Sequence, residues 1–334
     1  MLPTVDEGCA GGGQMAKIVV FDEFGGPEVL RLVEVPDPVP GTGQVLIRVR
    51  SAGVQPVDCA TRRGEFAKYR PLPFPIRLGN EVAGVVERVG DGVTDFAAGD
   101  EVIAFLTLEG YADAVVVAAD QVGRKPEKMS WAEAGVLTAS GQTAYTALDE
   151  LGVGPRDTLL IHAAAGGVGS FAVQLAVARG ARVVGTASER NHEYLLSLGA
   201  VPVTYGPGLA DRVRAAAPQG VTCVLDAIGG DALDASVELL GGTERIVTIA
   251  DWARSAELGI RRIGTQRSVA KLDELTRLWS AGQLRVEVAE TVPLSRAADA
   301  HRLVETGHVR GKVALVVDAG RHRENRSRDG VGIA

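Results

Sequence analysis

Leu159-Leu-Ile-His-Ala-Ala-Ala-Gly-Gly-Val-Gly169 is followed by Ser170-Phe-Ala-Val-Gln-Leu-Ala-Val-Ala-Arg-Gly180 and Ala181-Arg-Val-Val-Gly-Thr-Ala187. These residues read as a buried strand, a glycine-rich turn, an amphipathic helix and a second buried strand, in that order, within about thirty residues. That is the βαβ unit that binds a dinucleotide. Gly166, Gly167 and Gly169 carry no Cβ, so the turn tightens, the backbone can approach a pyrophosphate, and the helix can lie close to its strand. The phosphates then meet free N–H groups at the helix N-terminus, which makes Ala165, Gly166, Gly167, Val168 and Gly169 candidate cofactor contacts. The competing reading is a tight turn in some other α/β domain.

The end of the second strand decides which dinucleotide is expected. NAD-binding proteins usually place Asp or Glu there, on the ribose hydroxyls, and this chain has Ala187 after Gly185-Thr186. Ser188 and Arg190 supply a hydroxyl and a guanidinium suited to a 2′-phosphate, so the expected cofactor is NADPH. Glu189 argues the other way, since a carboxylate one or two residues late could reach a ribose diol and would repel a phosphate. The bland alternative for Arg190 is a solvated charge at a helix end.

With 334 residues, of which 46% are hydrophobic, the chain is long enough for two domains, each with its own core. Its net charge of −7 and pI near 5.4 argue against nucleic acid or an anionic membrane as a main partner. No apolar run is long enough to span a bilayer. Residues 1–14 lack the basic and apolar regions of a signal peptide and are expected to be a disordered extension, because Met15 stands just before the first strand-like run. Cys9, Cys59 and Cys223 are far apart and form no CxxC pair, so neither a disulfide framework nor a structural zinc site is encoded. A reducing, cytoplasmic setting is expected. The charged tail Arg321–Asp329 reads as a solvated end.

Before the nucleotide unit, from Ala16 to about Val122, short strands alternate with turns, including Gln44–Arg50, Glu81–Val89 and Val102–Phe105; this suggests a partly open barrel. A capping-box pattern, Ser130-Trp-Ala-Glu133, opens helical periodicity that continues through Leu148. Beyond the unit, strands at Cys223–Ile228 and Arg245–Ala250 alternate with helices at Asn191–Leu198 and Asp231–Leu240, predicting a doubly wound sheet. A helix from about Gln266 to Trp279, a strand at Val286–Val292, a helix at Ser295–Glu305 and a strand at Lys312–Val317 complete the pattern.

Several ordered motifs resemble those of the zinc-free quinone oxidoreductase group of the medium-chain dehydrogenase/reductase superfamily. They are Gly25-Gly-Pro-Glu-Val-Leu30, Gln55-Pro-Val-Asp-Cys-Ala-Thr-Arg-Arg-Gly64, Gly79-Asn-Glu-Val-Ala-Gly-Val-Val-Glu-Arg-Val-Gly90, the glycine turn and Gly307-His-Val-Arg-Gly-Lys312. The resemblance implies a discontinuous GroES-like barrel domain over residues 15–133 and 267–334, a Rossmann nucleotide domain over 134–266, and an active site in the cleft between them. It also implies a homodimer through the nucleotide domain.

Zinc-containing members carry a cysteine ligand where this chain has Gln55 and a histidine ligand where it has Asn80, next to Glu81. Neutral amides are poor zinc ligands, and without the Lewis acid alcohol dehydrogenation is disfavoured. What remains is hydride delivery to a small acceptor that needs little electrophilic help, a quinone or an activated C=C bond. The group's Asn-Pro-x-Asp is Gln55-Pro-Val-Asp58 here, and the tyrosine of its Arg-x-Gly-x-Tyr is Phe66. The expected catalytic residues are Gln55, holding a substrate oxygen, and Tyr69, substituting for the missing hydroxyl; a partly buried loop aromatic is the other reading of Tyr69. Asp58 and Arg62, four residues apart, are expected to form a helical ion pair.

Thr138 and Thr143 resemble positions near the nicotinamide and phosphates, with a helix-interior hydroxyl as the alternative for Thr143. Ile228, Ile249 and Ala250 lie where strands of the nucleotide domain end and ligands gather. His162, inside a strand, reads as a core residue. Lys312 recurs in the endings of relatives. The leading expectation is an NADPH-dependent quinone or enone reductase without a metal. An enoyl-thioester or polyketide-tailoring reductase is one alternative, and an NADPH-binding sensor without turnover is another. The arginines at 254, 261, 262 and 267 could meet a phosphorylated carrier or face solvent.

Overall fold

A computed structural model describes residues 14–317; the expectations for residues 1–13, Cys9 and the charged tail lie outside that range. The N-terminal half supplies β1 (Met15–Phe21), β2 (Arg31–Pro36), β3 (Gln44–Val54), β4 (Ile76–Arg77), β5 (Glu81–Val89), β6 (Glu101–Phe105), β7 (Ala114–Ala118) and β8 (Val122–Arg124). Helix α1 (Pro56–Arg62) follows β3 directly. β1, β2 and β4 form a small antiparallel sheet.

The barrel is organised by β3, whose eleven residues serve two partners on one side. Its first half pairs with β7, and its second half pairs with β16 (Lys312–Val316), which in turn lies parallel to β15 (Val288–Pro293). On its other side β3 pairs with β5 through two register shifts, at Leu46/Ile47 and Val49/Ser51. Such irregularities increase twist and curve a sheet. The barrel core is filled by alternate residues of these strands, among them Val45, Ile47, Val49, Val82, Val102 and Leu315.

The nucleotide domain begins after α2 (Trp131–Ala134) and α3 (Thr138–Leu151). The periodicity starting at Ser130 predicts one continuous helix; two are found. Ser130 caps α2 by the expected reciprocal bonds, Oγ accepting from Glu133 N at 3.2 Å and Glu133 Oε2 accepting from Ser130 N at 3.0 Å. The helix then stops at Gly135, where a Cβ would lie 2.8 Å from the Ser51 carbonyl carbon. Close contact with β3, invisible in helical periodicity, breaks the run.

Six parallel strands follow: β9 (Thr158–Ile161), β10 (Arg182–Thr186), β11 (Val201–Val203), β12 (Cys223–Asp226), β13 (Ile246–Thr248) and β14 (Arg261–Arg262). Their spatial order is β11-β10-β9-β12-β13-β14, so the order reverses between β9 and β12, the crevice where open α/β sheets bind ligands. Helices α4 (Gly167–Ala178), α5 (His192–Ser197), α6 (Leu209–Ala216), α7 (Asp231–Leu240) and α8 (Trp252–Leu258) intervene. α9 (Val269–Ser280) and α10 (Ala297–Glu305) lead back to the barrel. The sheet's apolar face packs Leu159, Ile161, Val183 and Leu225 against Phe171 and Leu175 of α4, and Leu272 and Leu275 of α9 join the same cluster.

Candidate active site

The glycine turn is tighter than its spacing requires, because α4 starts inside it at Gly167. Gly167, Val168 and Gly169 are thus the first helical turn, whose N–H groups have no intrahelical partner. Each glycine has its own reason. A Cβ on Gly169 would collide with the carbonyl oxygen of Ala163 and sit 2.7 Å from Ala164 Cα, so the helix touches the backbone of the turn that follows β9. A Cβ on Gly167 would lie 2.9 Å from Lys312 Cδ. Gly166 is less crowded, with 3.2 Å to the Ala163 oxygen.

Ala163 itself holds φ +54°, a left-handed conformation rare without glycine. Its N–H donates to Thr186 Oγ1 at 3.2 Å, which fixes the strand end. The turn is docked on the other domain by Gly311 N, which donates to Ala165 O at 3.0 Å. His162 is fully buried beneath it, bonded to Ser236 Oγ at 2.9 Å and Thr186 Oγ1 at 3.3 Å. Burial pulls its pKa down to about 4, so the ring is neutral and structural.

Where β10 ends, Ala187 is buried, Ser188 half-buried, and Glu189 and Arg190 exposed. Arg190 Nη2 donates to the carbonyl of His308 at 3.2 Å. Arg190 lines a cavity of about 380 Å³ with Asn191, His308, Arg310 and Glu287. Arg310 donates to Glu287 at 2.8 Å and lies over the Tyr194 ring at 5.2 Å. Arg310 stands within the closing Gly307–Lys312 motif, and nothing local in the sequence connects it with residue 190. The register sets Thr186 beside Val203, so the half-exposed Tyr205 follows β11 off the same sheet end that delivers Ser188. Ile228 is exposed beyond β12, and Ile249 and Ala250 are half-buried beyond β13. All three leave the carboxyl end of the sheet on the far side of the switch point from Ser188 and Arg190.

The barrel's side of the cleft is a buried polar cluster. Gln55, at the N-cap of α1, donates from Nε2 to Glu81 Oε1 and accepts at Oε1 from Ser140 Oγ, 3.3 Å away. Glu81 accepts Ala139 N at 2.7 Å through its other oxygen. Lys312 Nζ, buried beside the glycine turn, lies 3.0 Å from Ser140 Oγ and 3.5 Å from Glu81 Oε1. Burial pulls the Lys312 ammonium below its usual pKa, opposed by the charges of Glu81 and Asp58. Lys312 is thus a component of the site. Ser140 was overlooked altogether, since an isolated serine in a helix carries no spacing signal.

The expected Asp58–Arg62 pair does not form. Asp58 turns inward and accepts from Gln55 N at 2.9 Å, Asn80 Nδ2 at 2.9 Å, Gly79 N at 3.3 Å and Tyr111 Oη at 3.2 Å. Burial raises its pKa to about 6, against the pull of those donors. Arg62 turns instead to α10, donating to Glu305 at 2.5 Å and to His301 Nδ1 at 3.2 Å. The i, i+4 spacing is real, but each side chain finds stronger partners in tertiary contact. Tyr69, expected to supply the missing hydroxyl, sits on a turn with 76% of its surface exposed, and no hydrogen bond joins it to Gln55 or its partners. Phe66 meets Trp252 across the cleft, with ring centroids 5.9 Å apart.

Thr138 is fully buried, its Oγ1 accepting from Gln142 Nε2 at 2.6 Å. Thr143 is half-buried, donating to Ala139 O at 2.7 Å within its own helix and touching Thr265 Oγ1 at 2.6 Å.

Zinc finds no matching donors here. Gln55 and Asn80 offer neutral amides, and Glu81 already lies against an ammonium. Among the described residues no group of three His, Cys, Asp or Glu converges on a point. The sequence and the fold both match known proteins. Residues 41–151 match the alcohol dehydrogenase GroES-like domain family, and residues 198–315 match the zinc-binding dehydrogenase family. Quinone oxidoreductase from Sus scrofa is 32% identical over 326 residues, covering 91% of this chain and 98% of that protein. The chain belongs to the quinone oxidoreductase group of the medium-chain dehydrogenase/reductase superfamily.

Solved structures in this superfamily superpose over nearly the whole described chain. The quinone oxidoreductase from Coxiella burnetii is 34% identical with a TM-score of 0.80, covering 91% of this chain and all of that one. The Escherichia coli quinone oxidoreductase complexed with NADPH is 28% identical with a TM-score of 0.80, covering 90% and 99%. The CurK enoyl reductase is 26% identical with a TM-score of 0.82, over the same shares. The protein is therefore an oxidoreductase with a small-molecule substrate. No helix among the described residues is long and apolar enough to cross a membrane.

Proposed function

We propose that this oxidoreductase transfers a hydride from NADPH to a quinone or to the β-carbon of an enone, without zinc. The observation that carries the reading is the cluster at the mouth of α1. The positions that hold zinc in metal-dependent relatives present Gln55 and Asn80; Glu81 lies 3.5 Å from the Lys312 ammonium, and Asp58 is taken up by the N–H donors of Gln55 and Asn80. A site of amides and a compensated ion pair can orient an acceptor oxygen by hydrogen bonding, but it cannot polarise an alcohol strongly. An acceptor whose own conjugation absorbs the incoming electron pair suits it.

The glycine turn, the first-turn N–H groups of α4 and the strand ends at Ile228, Ile249 and Ala250 fit a dinucleotide in extended form. When bound, NADPH supplies the hydride at its nicotinamide. Ser188, Arg190, Tyr205 and Arg310 are the residues at the other end that would favour a 2′-phosphate, and the relative complexed with NADPH supports that preference. Gln55 would hold the acceptor oxygen, and with Phe66 at the tyrosine position the final proton is taken from water.

An enoyl-thioester reductase is the second reading, favoured by the similarity to the CurK enoyl reductase. Parallel steady-state assays with NADPH and NADH, each with a quinone, an unsaturated ketone and an enoyl thioester, test both. NADPH oxidation with the quinone or ketone well above the thioester is the expected result. Preference for the thioester would replace the first reading by the second, and binding of NADPH without turnover of any acceptor would overturn both.

A further inference from the structure

We propose that Ser140, Lys312 and Glu81 are positioning residues that keep one N–H of the Gln55 carboxamide free for the acceptor oxygen; this rests on the role just given to Gln55. An ammonium can only donate, so the 3.0 Å contact from Lys312 Nζ fills a lone pair of Ser140 Oγ. The Ser140 hydroxyl hydrogen therefore goes to Gln55 Oε1, 3.3 Å away. With its oxygen fixed there, the carboxamide turns its nitrogen to Glu81 and donates one hydrogen to Oε1. The nitrogen carries two. The second points away from Glu81 and is the donor the site offers.

Glu81 is held as firmly as it holds. Its other oxygen accepts Ala139 N at 2.7 Å, and it fills the space that a side chain at residue 53 would need, which only glycine leaves open. The four side chains come from residues 55, 81, 140 and 312, and all are buried, so bulk water does not compete for their bonds. Remove the ammonium or the hydroxyl, and the carboxamide oxygen loses the donor that fixes it, leaving Glu81 as the one remaining tether of the carboxamide. The second hydrogen is then held in a broader range of directions and meets the acceptor oxygen less well.

The experiment compares Ser140→Ala, Gln55→Ala, their double variant and Lys312→Met with the wild type. Acceptor kcat and KM are measured with a strongly electrophilic quinone and with a weakly activated enone. NADPH affinity is read separately from tryptophan fluorescence without any acceptor. Ser140→Ala is expected to lower kcat for the enone about five- to twentyfold, the worth of one oriented hydrogen bond. The loss should be smaller with the quinone, and NADPH affinity should stay within about twofold, the margin for a bond not made to cofactor. In the Gln55→Ala background Ser140→Ala should cost nothing more, because the group it orients is gone.

Lys312→Met should follow Ser140→Ala. If it fails to fold because Glu81 is left buried and uncompensated, Glu81→Gln/Lys312→Met, which removes both charges, is expected to fold and to show the same loss. Losses that add in the Gln55→Ala/Ser140→Ala variant, or that fall on NADPH affinity instead of kcat, would overturn the proposal. So would a Ser140→Ala enzyme indistinguishable from the wild type. A wild-type protein that turned over no acceptor would defeat the functional reading itself, which is a separate outcome.

Discussion

The guanidinium of Arg62 can only donate, and from that one constraint the hydrogens of two other buried groups follow. His301 Nδ1, 3.2 Å from Arg62 Nη1, must accept, so the ring proton sits on Nε2. Nε2–H then donates to Tyr111 Oη at 3.1 Å, and the Tyr111 hydroxyl donates onward to Asp58 at 3.2 Å. Replacing Tyr111 by Phe leaves the His301 N–H without an acceptor and takes one donor from Asp58. We expect it to cost about 1–3 kcal/mol of stability, measured by urea denaturation. Gly169→Ala is a different kind of change. Its methyl group would press α4 away from the turn at Ala163 and Ala164, and we expect NADPH binding to weaken more than tenfold by fluorescence titration, about 1.4 kcal/mol or more, with the barrel intact. The glycine turn and the amides at 55 and 80 were legible in the sequence because they lie within motifs of fixed spacing. The contact of Lys312 with Ser140 spans 172 residues, and no local pattern announces it.

Elements were most readable where the chain punctuates itself. β5 and α7 fall where alternation, helical period and flanking glycines place them. The losses came where tertiary contact overrides period, as at Gly135 between α2 and α3, or where an element is too short for any period to register, as in β11 and β14. The strand β16 carries a prediction at this scale. Gly311 leads into it at φ +73°, a conformation unfavourable for side chains, and a Cβ there would also meet the Glu287 carbonyl. Gly311→Ala is expected to cost about 1–3 kcal/mol of stability. It should also loosen the docking of the glycine turn, seen as faster hydrogen exchange at Gly311, whose N–H bonds Ala165.

For the molecule as a whole, buried histidines set the acid limit. His301 has its pKa pushed down to about 3 by burial and by the neighbouring Arg62, and His162 is held near about 4 by burial. Both are neutral when folded and take up protons more readily when unfolded. Their contribution is therefore fully present above about pH 6.5, the unfolded histidine value, and is lost as pH falls toward those depressed values. Asp58, raised to about 6, works in the opposite sense: between the ordinary aspartate value and about pH 6 the folded state holds the extra proton, so stability declines as pH rises through that range. Two histidines outweigh one aspartate, and the urea midpoint should fall between pH 6.5 and 4.5. A His301→Gln variant should show a smaller fall; an unchanged fall would remove His301 from the account. The homodimer suggested by resemblance meets an obstacle at the sheet edge. β14 is the last strand of its sheet and consists of Arg261 and Arg262. Arg261 is held by Glu150 at 2.7 Å, while Arg262 stacks on Trp252. Edge-to-edge pairing about a two-fold axis would bring like charges together. We expect association through this edge to strengthen with salt, as measured by sedimentation velocity.

The return of the C-terminal segment to β3 also sets an order in time. A ribosome delivers residues 44–124 early, yet the second half of β3 has no partner on that side until residues 312–316 have been made. Until then the nascent barrel presents an open strand edge, a hazard for self-association that chaperones exist to cover. The nucleotide sheet, contained in residues 158–262, can close on its own in the meantime. The lysine that completes the reactive cleft arrives on the same strand that seals the barrel. Chains interrupted before that strand are thus left with a sticky edge and without the buried lysine beside Ser140 and Glu81, which makes them targets for quality control.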